Sequence, residues 1–295
     1  MKNEIRFKWY SLVVLFLFSA CGSTSKISLE SSADEQMAAS QYQKALSLYE
    51  QRIAELEQSG QTVSGYLYEK AGKAALNAGD TIKCEHHFKL AVYHEQASPF
   101  IYYQLAVFYQ TSGNISKEMM ALEPLELKFP ESEEAIVMRP RLFQLGLISD
   151  QPEISLKLWP SMPEMHNNEL ILTDYLRANQ KVGLEDSCNK ISSRILRLYP
   201  DNTVALEWQA KRYYNLAEDR YQREMKIYEA NKTHRHYKKL LGELELSTED
   251  MKQSLHYFSK LWKLNPDPVY ATYLHNIYAR FGDEKMAAFY RKRMK

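Results

Sequence analysis

The residues able to do chemistry are few, and they do not assemble into a reactive set. Cysteine occurs at Cys21, Cys84 and Cys188, a low and odd count that makes no disulfide framework. Cys84 and Cys188 each fall at the small-residue position of a helix that comes after a glycine turn. That shared place predicts buried packing residues, not a thiol nucleophile or a redox pair. His86 and His87 are adjacent and would point about 100° apart on a helix. His87 and His94 share a face, but no Cys, Asp or second His completes a ligand set one turn away. His234 and His236 flank a predicted helix start, again without partners. There is no HExxH, Walker, GxSxG or dinucleotide fingerprint. The expectation is therefore no enzyme, no metal and no cofactor. An enzyme would have to use the proline-rich centre near 131–168, where only His166 offers itself.

Cys21 stands apart through its context. Lys2, Arg6 and Lys8 precede a short apolar run, Ser11 to Phe18, and then Ser19-Ala20-Cys21. An apolar core this short suits a leader and falls below the roughly 20 residues of a spanning helix. The segment resembles a bacterial lipoprotein signal, with cleavage before a Cys that is then acylated. Phe18 departs from the usual aliphatic residue, although Leu17 sits beside it. The resemblance implies a signal peptide over 1–20, lipidation at Cys21 and a membrane anchor. Gly22 comes directly after the Cys, with no Asp there and no acidic run beyond it. This implies an outer-membrane lipoprotein that faces the periplasm. The Ser-rich stretch to residue 33 reads as a flexible tether.

The elements that must position any site repeat. Gly79-Asp80 and Gly113-Asn114 are 34 residues apart, Gly183 comes after 70 more and Gly282 after another 99. Pro130, Pro200 and Pro266, separated by 70 and 66, give a second count. Around Gly79, Tyr66–Leu76 reads as one helix and Thr81–Gln96 as the next. Gly72 and Cys84 would let the two approach, and Phe88 would fill the space toward the following pair. Tyr102, Leu105, Ala106, Tyr109, Leu122 and Leu125 repeat the pattern, with Glu118 in place of a small residue and Pro124 expected to kink its helix. Leu172 to Pro200, Tyr237 to Pro266 with Gly242 and Ser254, and Tyr270 to Tyr290 read as further pairs.

This pattern resembles the tetratricopeptide repeat (TPR), whose period is about 34 residues. The resemblance covers 34–295 and is strongest at 64–130 and 235–295. The predicted fold class is all-α, a TPR-type helix–turn–helix solenoid in one domain on a tether. Asp34 to Ser59 reads as an N-terminal cap or half a repeat. Thr203 to Asn231, without internal Gly or Pro, reads as two helices with a tight junction or one bent helix. Thr233 could N-cap the next helix. Four prolines between 140 and 163 make the centre an irregular repeat, with Glu133 to Gly146 a degenerate first helix and Trp159 to Pro163 a loop.

The resemblance implies a right-handed superhelix with a concave groove that takes a protein or peptide ligand. In that register the groove candidates are Tyr66, Glu69, Lys73, Phe100, Tyr103 and Val107, then Lys239, Asn276 and Arg280. Glu69 and Glu243 sit where a carboxylate clamp would want cationic or amide groups. The implied role is a protein–protein interaction scaffold, with outer-membrane assembly or secretion as analogy alone. A glycan or peptidoglycan binder using groove aromatics is the alternative from another class.

Composition fits this reading. The 295 residues are 45% hydrophobic and 25% charged, with 10 Gly and 21 Tyr. The scarcity of Gly argues against phosphate-cradling loops, and aromatics fill the spaces between helix pairs. The net charge is +1. Loss of residues 1–20 leaves 35 basic and 36 acidic residues, hence −1, and no nucleic-acid partner is expected. The basic runs Lys232–Lys239 and Arg291–Lys295 suggest phosphate or lipid contact, or simply solvated helix ends.

Overall fold

The computed structural model describes residues 28–295. The leader, Cys21 and residues 22–27 of the tether lie outside the described residues. The elements are α1 (Leu29–Ala38), α2 (Tyr42–Gln58), α3 (Gly65–Asn77), α4 (Thr81–Tyr93), α5 (Pro99–Thr111), α6 (Ile115–Lys128) and α7 (Glu133–Ile148). They continue with α8 (Pro152–Leu158), α9 (Glu169–Lys181), α10 (Glu185–Leu198), α11 (Thr203–Ala230), α12 (His234–Leu264), α13 (Pro268–Arg280) and α14 (Glu284–Arg291). No strand occurs among the described residues. Two compact units divide the chain, one ending at Ala97 and the other beginning at Ser98.

The fold is all-α and of TPR type, and its turns show why the sequence repeats. Gly79 has φ +78°. Its N–H bonds Leu76 O at 3.1 Å, and the N–H of Asp80 bonds Ala75 O at 2.9 Å. This pair of bonds closes α3. Asp80 then caps α4, its carboxylate accepting from the Lys83 N–H. Asn114 and Asp283 do the same after Gly113 and Gly282. One dipeptide thus ends one helix and starts the next, so the left-handed glycine recurs with the repeat.

Five residues beyond each turn the second helix meets the first. Cys84, Cys188 and Ala287 are buried there, as expected of small residues. Within its own helix pair, the Phe88 ring lies over Gly72.

Several expectations change. The tether stops short of residue 33, because the Ser28 hydroxyl accepts from the Ser31 N–H and starts α1 at Leu29. Asp34 to Ser59 belongs to a full hairpin, α1 packed on α2, in place of a cap or half repeat. Of the two readings of Thr203 to Asn231, the single helix is the one found, 28 residues from Thr203 to Ala230. The expected helix–turn–helix from Tyr237 to Pro266 is also one helix, α12, of 31 residues. Its Gly242 occupies the place of Gly72, but position 249, where a turn glycine is due, is Glu. The backbone has no left-handed residue there and runs on. Thr233 does cap α12, accepting from the His236 N–H.

The centre is more regular than its prolines suggested. Helices α6 and α7 run through Pro124 and Pro140. A turn at Asp150, φ +58°, separates α7 from α8. Its left-handed residue is not Gly, so the sequence hid a complete hairpin. A Cβ on Gly146 would lie 2.9 Å from Ser155 Oγ, which shows how closely these two helices approach. Two short 3-10 turns, Trp159–Ser161 and Pro163–Met165, take the place of the predicted loop.

Candidate interaction cleft

In the second unit the two long helices are zipped by small residues. Ser254 Oγ donates to Ala210 O at 2.9 Å, and Ser247 Oγ donates to Ala217 O at 2.8 Å. All four residues are buried. The spacing is seven on both helices, which keeps the small residues on one seam. The next layer outward by that spacing holds Glu224 and Leu240, again buried.

Beside this seam the C-terminal end of α13 meets α11 and α12 across a cleft of about 520 Å³. Such a volume lies within the range of ligand sites, roughly 300–1,000 Å³. Tyr214, Glu218 and Tyr221 of α11 line it, at the i, i+4, i+7 spacing that places them on one helix face. Ser247, Thr248 and Met251 of α12 form its floor, and Asn276, Arg280 and Phe281 close the third side. Arg280 ion-pairs with Glu218. Its guanidinium carbon sits 4.1 Å from the centre of the Tyr221 ring. Burial pushes this guanidinium below its ordinary pKa, because a partly desolvated cation lacks hydration. Asn276 Nδ2 donates to Tyr214 Oη at 3.4 Å. The site thus offers a cation on an aromatic face, one carboxylate, one amide and a floor where the Thr248 hydroxyl lies beside Met251 and Leu244.

The groove residues expected from sequence are distributed unevenly. Asn276 and Arg280 come together in the cleft. Lys239 does not line it and instead pairs with Glu224 at 3.0 Å. In the first unit Tyr66 is exposed, with the Lys70 ammonium 5.1 Å from its ring centre. Glu69 is buried and bonded to Lys73 at 2.6 Å. Phe100, Tyr103 and Val107 are half-buried on α5. Both acids noted against a carboxylate clamp are occupied, Glu69 by Lys73 and Glu243 by Arg220 at 2.9 Å. Sequence reasoning missed Tyr214, Glu218 and Tyr221, because α11 lacked a repeat register. Their own spacing was the available signal.

The residues weighed for chemistry have other duties. Burial pushes the Cys84 thiol up to about 12 and that of Cys188 to about 11. Both are free cysteines. His166 Nε2 lies 3.0 Å from Trp159 O. The Trp159 ring is sandwiched between His166 and Tyr175, with centroids 4.0 and 3.9 Å away, so neither face of that ring is open. Among the described residues no group of three or more His, Cys, Asp or Glu could hold a metal ion. Among them, too, no helix is long and apolar enough to cross a membrane.

No family profile matches the chain, and no curated protein matches it. Solved structures similar to it include a candidate protein-binding protein from Bacteroides ovatus, 16% identical, covering 63% of this chain and 99% of the other, TM-score 0.48. A TPR protein from Bacteroides fragilis is 13% identical over 85% of this chain and 97% of its own, TM-score 0.32. A tetratricopeptide repeat protein from Parabacteroides merdae is 14% identical over 84% and 97%, TM-score 0.37. Identity this low carries no functional residue across.

Proposed function

We propose that the chain is a protein–protein interaction scaffold, a TPR-type lipoprotein anchored through Cys21 in the bacterial outer membrane and facing the periplasm. The observation that supports scaffolding is the cleft between α11, α12 and α13. It joins a partly buried arginine and two tyrosines to the apolar side chains of Leu244 and Met251, and Arg and Tyr are the residue types that dominate binding energy at interfaces. A peptide segment with one acidic and one apolar side chain fits it, the acid exchanging with Glu218 on Arg280. The anchor is supported by Lys2, Arg6, Lys8, the apolar run and Ser19-Ala20-Cys21. A role in outer-membrane assembly or secretion is an extension of the same reading.

Affinity capture after crosslinking in intact cells tests the scaffold. Wild type should recover one membrane-associated protein complex, and Arg280→Ala with Tyr214→Ala should recover at least about tenfold less, as loss of hot-spot side chains does. Equal recovery would remove the cleft from the reading. Cys21→Ala should release the protein from membranes, and unchanged fractionation would remove the anchor.

A further inference from the structure

Helices α11 and α12 carry a second surface, separate from the cleft. With 28 and 31 residues they are about twice as long as α3, α5 and α9, which have 13 each. Their distal halves pack on each other: beyond Ala217 the buried residue of α11 is Glu224, and before Ser247 that of α12 is Leu240. The tip, Arg223 to Lys239, holds six Lys and Arg against two Glu, while the rest of the chain has three more acids than bases. Glu224 takes Arg223 and Lys239, each at 3.0 Å. Lys226, Lys232, Arg235 and Lys238 remain exposed, with no ion pair to any described carboxylate.

The helix dipole does not account for three of these cations. Lys232, Arg235 and Lys238 stand at or beside the start of α12, the positive end of the helix dipole, where acids are favoured and bases are not. The run Arg291–Lys295 is the opposite case, since it lies at a helix C-terminus. The tip and the residues just after it also expose apolar groups: Ile227 is 38% exposed, Tyr237 45% and Leu241 44%. The Tyr228 and Tyr237 rings, 5.8 Å apart, join the two helices there.

We infer that this tip is a docking surface for an anionic lipid bilayer. Lysine and arginine next to tyrosine and aliphatic groups suit a headgroup region, where charge meets phosphate and the apolar parts reach the acyl boundary. A nucleic acid would ask the cationic surface to continue along the chain, and the remaining residues are net acidic. The inference stands independently of the cleft and of acylation at Cys21.

Hydrogen exchange of the full chain bearing Cys21→Ser tests it, since no acyl chain of its own then brings it to a vesicle. Vesicles of phosphatidylcholine with about 30% phosphatidylglycerol should slow exchange at 231–241 about tenfold, and pure phosphatidylcholine should not. Salt at about 0.5 M should abolish the effect, because screening then acts within a few ångströms. Lys232→Glu with Arg235→Glu and Lys238→Glu should lose it while keeping the helical circular dichroism. Three results overturn the inference: no protection, equal protection by both vesicles, or protection by a single-stranded oligonucleotide but not by vesicles. The last would assign the tip to nucleic acid.

Discussion

Gly72 exists to admit Phe88: a Cβ at position 72 would lie 2.4 Å from two carbons of the Phe88 ring. The ring is fully buried, so it could admit that Cβ only by shifting within a packed interior. Gly72→Ala should therefore destabilise the first unit by about 1–3 kcal/mol, the range for overpacked cores. Gly242 has the same place in the sequence pattern but open space around it. There Ala should stabilise the helix, by about 0.5–1 kcal/mol. Urea unfolding of the two variants gives opposite signs if the packing is as described. A common sign contradicts it.

That contrast shows what the sequence could tell. The turn glycines, the Thr233 cap and the small residues Cys84 and Cys188 were legible, because each answers a local demand of the backbone or of close helix packing. The length of α12 was hidden, because Gly242 imitates Gly72 without a turn glycine seven residues later. The α7–α8 hairpin was hidden for the converse reason, since Asp150 adopts the left-handed conformation that marked the other turns. Of the ten residues that line the C-terminal cleft, register named two, Asn276 and Arg280. Three others lie on α11, where no repeat supplied a register, and four on α12, whose expected turn is absent.

Glu118 stands where other repeats have a small residue, and Arg141 explains why it can. The guanidinium donates to both carboxylate oxygens, at 2.7 and 2.8 Å, while the Glu118 side chain is 1% exposed. Arg141→Met should cost about 3 kcal/mol by leaving a buried carboxylate alone. Adding Glu118→Ala should recover most of the loss. Thermal melts of the two single variants and the double variant measure this coupling, and additive losses would deny it.

His87 should make the first unit acid-sensitive. Its ring is buried, Nδ1 has no hydrogen-bond partner and Nε2 lies 3.3 Å from Glu50. Burial holds its pKa below the ordinary 6.5, against the pull of Glu50. The folded state thus binds the proton more weakly than the unfolded chain. Stability from this group is full above about pH 6.5 and declines as pH falls further. His87→Phe should flatten the fall between about pH 7.5 and 5. An unchanged slope would mean that other groups carry the acid response.

Native Cys84 and Cys188 should resist a thiol reagent at neutral pH, for burial keeps both protonated. Labelling should begin only with unfolding, at the rate that circular dichroism records. Fast labelling of the folded protein would mean that these helix pairs open on their own.

The layers Ala210–Ser254 and Ala217–Ser247 have a consequence for reach. Because they recur every seven residues on both helices of the hairpin, the arm they form is a ruler marked in steps of about 10 Å. Removing one such step from each helix would preserve the seam and draw the cationic tip in by one mark. Removing three or four residues instead would turn the tip to another side. The chain thereby fixes separately how far the arm extends and which way its end faces.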